Sequence, residues 1–486
     1  MPISVETFLL DSAVEGTLQS RIQQLVAGGI LSGRFRPGER LPSSRRLATH
    51  LGVSRITVTL AYNELVADDY LTARGRSGYY VSADAPEPST FAPPQRRFDT
   101  VDWSRALPGR PAAGLGVSKP NDWARFRYPF IYGQPDPTLF DTAGWRLCAL
   151  QALGKRDFAA LTADQFDACD PKLVEFITRQ TLPRRGIIAN PDEVLITMGA
   201  QNALWLTTQL LLGSRRRAVI EDPCYPALRH LAAATRCHIT PLPVDADGLQ
   251  PDLIPPDTDV VFTTPSHQCP TTATMPAARR ADLLARAETQ DFIVVEDDYE
   301  FEMSFLSPPS PALKARDTAG RVVYIGSFSK SLFPGLRLGY LVGPAPFIAA
   351  ARALRAQVLR HPPGQIQRTA AYYLSLGHYD ARIRRMSQAF LQRRRVIDAA
   401  LADHCLHIAG AGVYGGSSVW VSTPRGTDTT VLASALRDRD VLIEPGAPFF
   451  AAQQPEKHYM RLAYSSITAD RIPEGIARIA DAMQTG

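Results

Sequence analysis

At 486 residues the chain is too long for one compact core, because domains usually run to about 100–200 residues, and two or three folded parts are expected. Hydrophobic residues make up 45% and charged residues 21%, a balance that excludes a wholly disordered chain, and no apolar run approaches the roughly 18 residues that span a bilayer. A net charge of +5 permits nucleic acid as a partner without requiring it, so the distribution of that charge matters more.

The opening MPISVETFLLDSAVEG carries acids where a secretory signal carries basic residues, and a cytoplasmic location is expected. Residues 1–82 read as one unit. TLQSRIQQLVAGGILSG has helical spacing, PSSRRLATHLGV starts on capping serines and puts Leu47, Ala48 and Leu51 on one face, and Ser54 caps RITVTLAYNELVADD. In that last helix Ile56, Val58, Leu60, Ala61 and Leu65 are the expected buried set. YLTARGRSGYYVS then alternates around a glycine turn as a hairpin does. Two helices, a tight turn and a hairpin make a winged helix-turn-helix.

Charge agrees with that reading. From Leu31 to Tyr80 eight arginines face four acids, and they gather where a winged helix meets DNA. Arg45 and Arg46 open the first helix of the pair, Arg55 and Thr57 start the second, the one that enters the major groove, and Arg74 and Arg76 sit in the wing. Arg55 suits a guanine edge, and the others suit phosphates. The stretch PGERLPSSRRLATHLGVSRITVTLAYNELVADDYLTARGRSGYYV resembles the DNA-binding domain of GntR-type bacterial repressors. That resemblance implies double-stranded promoter DNA as a partner, with contacts from Arg45, Arg55, Thr57, Arg74 and Gly75.

Residues 83–122 lose periodicity and gain proline, as in APEPSTFAPPQRR, and read as a linker without a site of its own. Residues 123–486 alternate short apolar runs with helical stretches: EVLITM, RAVIEDP, DVVFTTP, FIVVEDD, VVYIGS and LGYLVG. This is the α/β pattern of a largely parallel sheet, which binds its ligands at the carboxyl ends of the strands.

One residue at those ends stands out. The chain has six lysines, and arginine serves most other cationic positions. Lys330, in GSFSKSLFPGLRLGY, therefore invites a reason why arginine would not do. Lysine can lose its proton and attack a carbonyl. A lysine beside a carboxylate and a phosphate cradle is what pyridoxal 5'-phosphate requires. Lys330 is the expected Schiff-base residue and Asp297 the partner of the pyridinium nitrogen, with the adjacent Asp298 as the alternative. Tyr299 is expected to donate to the ring's phenolic oxygen and Tyr225 to stack on the ring. Ser327, Arg337 and the Gly199, Ala200 and Gln201 amides at a helix N-terminus are expected to bind the phosphate.

Taken together, TPSHQCPTTATMP, VEDDYEFE and SFSKSLFPGLRLGYLV resemble the effector domain of the MocR subfamily of GntR regulators, a fold-type I aminotransferase-like domain. The resemblance implies that Arg461, in YMRLAYSS, binds an amino-acid carboxylate, that YGQPDPTLFD with Gly133 and Asp136 forms an entry loop, and that the protein is a homodimer. Two departures stand out. Cys269-Pro270-Thr271-Thr272 replaces the Asn-Pro-x-Gly of aminotransferases, which removes a side-chain amide, and Ala227 stands where the relative that responds to GABA has arginine. His267 and Gln268 are each either a ligand contact or a loop-stabilising group.

The expected function is a transcriptional regulator whose effector, a small primary amine or amino acid, forms an external aldimine and changes promoter binding. A working aminotransferase with an appended DNA-binding domain is the alternative, and a sensor of the cofactor itself is a third. Six cysteines without CxxC or histidine-spaced pairs indicate no metal site and no disulfide framework.

Overall fold

The structure is a computed structural model that describes residues 2–10, 16–86, 101–107, 119–134, 136–410, 412–452 and 455–485. The chain divides into two units at residue 110. Most of the proline-rich stretch read as a linker, 87–100 and 108–118, lies outside the described residues, as does the side chain of Arg76.

In the first unit, helices α1 (Leu18–Leu31), α2 (Ser44–Leu51) and α3 (Arg55–Ala67) each begin on a hydroxyl cap. Thr17 accepts from Ser20 N, Ser43 from Arg46 N and Ser54 from Thr57 N, at 3.1–3.3 Å. Each bond satisfies one of the amides a helix start leaves open. The turn after α2 uses Gly52 at φ 67°, a conformation that favours glycine.

Strands β1 (Leu71–Ala73) and β2 (Tyr79–Val81) pair antiparallel to form the wing. Val58, Ala61, Tyr62 and Leu65 pack with Leu47, Ala48, Ile22 and Val26. Ile56 and Leu60 are not in this core: they are 72% and 47% exposed. The stripe at 58, 61, 62 and 65 follows the i, i+3, i+4, i+7 pattern, and positions 56 and 60 fall on the opposite side of the helix.

The second unit is built on a large sheet. Its strands are β3 (Val194–Thr197), β4 (Arg217–Asp222), β5 (His238–Asp245), β6 (Gly248–Leu249), β7 (Val260–Thr263), β8 (Ile293–Asp298), β9 (Val322–Ser327) and β10 (Gly339–Val342), in the spatial order β3-β10-β9-β8-β7-β4-β5-β6. All run parallel except β10 and the short β6. Residues 194–197, 260–263 and 322–327 are buried throughout, as expected of strands covered on both faces.

Helix α4 (Ala200–Leu211) follows β3 directly. A smaller sheet, β11 (His407–Ile408), β12 (Ser418–Ser422), β13 (Glu444–Pro445) and β14 (Tyr459–Ala463), runs in the order β11-β12-β14-β13. It shares an apolar core with Tyr128, Phe130 and the helix at 378–403. Among the described residues no helix is long and apolar enough to cross a membrane.

Candidate functional site

Strand alternation sorts three consecutive acids. Side chains on a strand point to opposite faces in turn, so Glu296 and Asp298 share one face and Asp297 takes the other. Glu296 accepts from the Leu313 and Lys314 amides at 2.8 Å. Asp298 Oδ2 accepts from Arg185 Nε at 2.7 Å and from the Tyr324 hydroxyl at 2.8 Å.

Asp297 instead lines a cavity of about 240 Å3, and among the described residues its Oδ1 is buried with no hydrogen-bond partner. Burial, followed by the charges of Asp298 and Glu221, pushes its carboxyl up to about 7, with Lys330 acting in the opposite direction. Of the two adjacent aspartates, only Asp297 is among the residues lining the cavity.

Lys330 lines the same cavity. Parallel pairing of β8 with β9 sets Asp297 beside Ile325, and the chain leaves β9 at Ser327, three residues before the lysine. Burial first, and Lys119 second, bring the amine down to about 7, against the opposing pull of Glu300. Its Nζ sits 3.9 Å from the centre of the Tyr132 ring. Gly133 turns at φ 80°, and a Cβ there would stand 2.5 Å from Nζ.

Ala200, Gln201, Ser327, Ser329 and Arg337 line the cavity. Gly199 precedes α4 at φ 81°, and no side chain caps this helix start. Arg337 adopts φ 51° and donates from Nη2 to the Met198 carbonyl at 3.3 Å. The Ser329 amide donates to Ser327 Oγ at 3.2 Å. Open helix-start amides beside a guanidinium attract an anion. Tyr225 and Tyr299 line the cavity as well, and burial raises both phenols.

Arg461 and Glu444 also line the cavity; Arg461 Nε donates to Glu444 Oε2 at 2.7 Å, a pair set up by the β13–β14 register. Glu444 Oε1 lies 3.2 Å from Lys119 Nζ, and Lys119 also donates to the Tyr132 carbonyl. Burial raises the Glu444 carboxyl, but Arg461 and Lys119 outweigh it and hold the group below its ordinary value. Cys269 Sγ lies 3.8 Å from Arg461 Nη1, and burial pushes its thiol up to about 12. In place of the amide of Asn-Pro-x-Gly, the cavity has a protonated thiol.

Sequence reasoning missed Lys119, Glu444, Tyr132 and Phe449 as members of this cavity. Scarcity was an available signal for Lys119, one of only six lysines. His267, expected near the effector, is absent from the cavity lining. It lies behind Tyr299, with ring centres 6.0 Å apart, and its Nε2 is 3.5 Å from Glu300. Gln268 is a loop brace: it donates to Glu221 and to the Pro223 carbonyl, and it accepts from Thr271. Asp136 accepts from the Thr138 amide and pairs with Arg393.

In the first unit, Arg45, Arg55, Arg74 and Gly75 are exposed. Arg55 Nε donates to Ser44 Oγ at 3.4 Å, and Thr57 Oγ1 is 2.8 Å from Ser54 Oγ, which fastens the start of α3. The Arg74 guanidinium stacks 4.7 Å above the Tyr80 ring, and Gly75 takes φ 45° in the wing turn.

These two units match two family models, "Bacterial regulatory proteins, gntR family" over residues 18–81 and "Aminotransferase class I and II" over 157–479. Together they define a helix-turn-helix transcriptional regulator that carries an aminotransferase domain. The chain is 57% identical over 484 residues to the HTH-type transcriptional regulator TauR of Rhodobacter capsulatus, covering 100% of both chains. It is 31% identical to the HTH-type pyridoxine biosynthesis transcriptional regulator PdxR of Corynebacterium glutamicum, over 81% of this chain and 80% of that one.

Among solved structures, α-aminoadipate aminotransferase LysN of Thermus thermophilus, complexed with N-(5'-phosphopyridoxyl)-L-leucine, matches with a TM-score of 0.71 at 25% identity, over 79% of this chain and 99% of that one. Kynurenine aminotransferase of Pyrococcus horikoshii matches with a TM-score of 0.69 at 27% identity, over 74% of this chain and 91% of that one. The chain belongs to the MocR-type transcriptional regulators of the gntR family.

Proposed function

We propose that the second unit holds pyridoxal 5'-phosphate and uses it to sense a small primary amine or amino acid, and that this ligand alters promoter binding by the first unit. The observation that carries the reading is the pairing, on one cavity, of the Lys330 amine with the Asp297 carboxyl, whose Oδ1 is buried without a hydrogen-bond partner among the described residues. An unmet buried acceptor costs about 1–3 kcal/mol, and a protonated ring nitrogen is the donor it lacks. When bound, the cofactor supplies an aldehyde that captures primary amines.

Lys330 would hold that aldehyde, because burial and Lys119 lower its pKa and so favour the unprotonated, nucleophilic amine. Asp297 would keep the ring nitrogen protonated, Tyr225 would cover one face of the ring, and Tyr299 would donate its hydroxyl to the phenolic oxygen. Arg337, Ser327 and the Gly199–Gln201 amides would hold the phosphate. Arg461 would receive the effector's acid group. The thiol of Cys269 replaces an amide donor, which favours sensing over turnover.

Arg45, Arg55, Thr57 and the wing residues Arg74 and Gly75 would contact DNA. Ile56 and Leu60, exposed on α3, add apolar surface suited to thymine methyl groups. A homodimer would present two winged helices to two half-sites. The effector changes DNA binding only by the difference in its affinity for the two arrangements of the protein.

The test is a DNA-shift titration of cofactor-loaded protein against a panel of amines. Wild type responds to at least one amine, and Lys330→Ala keeps basal DNA binding while losing the response. A response that survives in Lys330→Ala would overturn the reading.

A further inference from the structure

Lys119 follows the proline-rich connection, yet its ammonium lines the same cavity as Lys330. The two are close, since the point where a Gly133 Cβ would stand is 2.5 Å from one Nζ and 3.8 Å from the other. An ammonium has three donors. One goes to the Tyr132 carbonyl and another faces Glu444.

Glu444 is fully buried and bridges Lys119 to Arg461. Both cations lie over the Tyr132 ring, at 5.8 and 4.2 Å from its centre. Lys330 lies over the same ring, at 3.9 Å; with that amine taken up by the cofactor, the cluster sets two cations, Lys119 and Arg461, against one carboxylate. Arg461 and Glu444 are buried and Lys119 is partly exposed, so the surplus positive charge faces the cavity, where it suits an anionic ligand.

We propose that Lys119 is a specificity-determining residue of the effector pocket: with Arg461 it receives the effector's acid group, while Glu444 holds both cations and limits the site to one net positive charge. The inference rests on the reading of the cavity given above and adds a residue and a charge rule to it. A ligand with one negative charge neutralises the cluster. A dianion leaves one charge uncompensated and meets Glu444 at close range. An amine without an acid group reaches Lys330 but leaves Lys119 without its partner. The lowered pKa of Lys119, set first by burial and opposed by Glu444, agrees with a cation short of negative neighbours.

The test uses full-length protein and two readouts. Cofactor-loaded protein is titrated spectroscopically with straight-chain ω-amino acids, with n-alkylamines of the same length, and, in buffer alkaline enough to remove their second phosphonate proton, with aminoalkylphosphonates as the dianionic arm. Cofactor-free Lys330→Met protein, which keeps Lys119 and Arg461 as the cavity's cations, is titrated by calorimetry with butanoate and propylphosphonate, which need no amine chemistry. Lys119→Met is expected to weaken acid-bearing ligands about tenfold or more in both readouts, as loss of a charge-assisted hydrogen bond does, and to weaken them far more than n-alkylamines of the same length. Lys119→Arg restores most of the loss, and Glu444→Gln shifts preference toward the phosphonates.

Equal weakening of plain amines and amino acids, or acid binding unchanged within about twofold, would overturn the proposal. Wild-type protein that fails to take up the cofactor contradicts the cofactor reading alone, because the calorimetric arm still decides the role of Lys119.

Discussion

Arg185 and Asp298 form a buried ion pair, with Nε 2.7 Å from Oδ2 and each side chain 1% exposed. This pair gives two adjacent aspartates different work. Asp298 is committed to Arg185 and Tyr324, and Asp297 is left to the cavity. Removing one partner of a buried pair strands the other charge and costs about 3–5 kcal/mol. Asp298→Ala is therefore expected to lower the urea midpoint strongly. Asp297→Asn is expected to leave the midpoint of cofactor-free protein unchanged or raise it, and to weaken cofactor binding. Equal destabilisation by the two variants would contradict the division.

Lys330 makes stability depend on pH with a definite sign. Its folded pKa of about 7 lies below the ordinary lysine value of about 10.4, so unfolding takes up a proton between those limits. The cost of the buried amine is full below pH 7 and fades as the pH rises. Cofactor-free Lys330→Met should therefore exceed wild type in stability by its largest margin at pH 6, with the margin shrinking by pH 9. Asp297 runs the other way, its cost growing from about pH 4 and full above 7. Urea midpoints across this range check both, and a pH-independent margin for Lys330→Met would contradict the first.

Gly133 is required by space as well as by conformation. A methyl group there meets Lys330 Nζ at 2.5 Å, on a backbone at φ 80°. Gly133→Ala is expected to cost about 1–2 kcal/mol from the left-handed conformation alone and to displace the lysine. Cofactor capture, followed by absorbance, should slow more than stability falls. Normal capture would show that the loop gives way.

For the first unit, Arg55→Ala should cost about 1–3 kcal/mol of specific affinity and relax sequence preference at one position. Arg74→Ala should weaken all sequences alike and reduce the salt slope by about one. Binding measured at two or more salt concentrations separates the two, and indistinguishable variants would contradict the separate roles.

Much of the cavity was legible because its residues follow strands whose apolar runs are plain: Asp297 ends FIVVED, and Lys330 comes soon after VVYIGS. The sequence already put Asp297 first and Asp298 as the alternative, but the physical reason that separates them, the strand's facing and the position of Arg185, needed the fold. Glu444 sits on a two-residue strand, too short to show a period. Lys119 follows a stretch with no period at all. Its role depends on residues more than 300 positions away in the chain, Glu444 and Arg461. Ile56 and Leu60 were misjudged for a simpler reason: an apolar residue on the exposed face of a helix looks like core in sequence.

The central claim is a covalent one, that the ε-amine of Lys330 is the group that holds the cofactor. Borohydride reduction of wild-type protein incubated with pyridoxal 5'-phosphate, followed by peptide mapping, is predicted to leave one stable phosphopyridoxyl adduct, on Lys330. An adduct on Lys119 or another lysine, or no adduct at all, would contradict it.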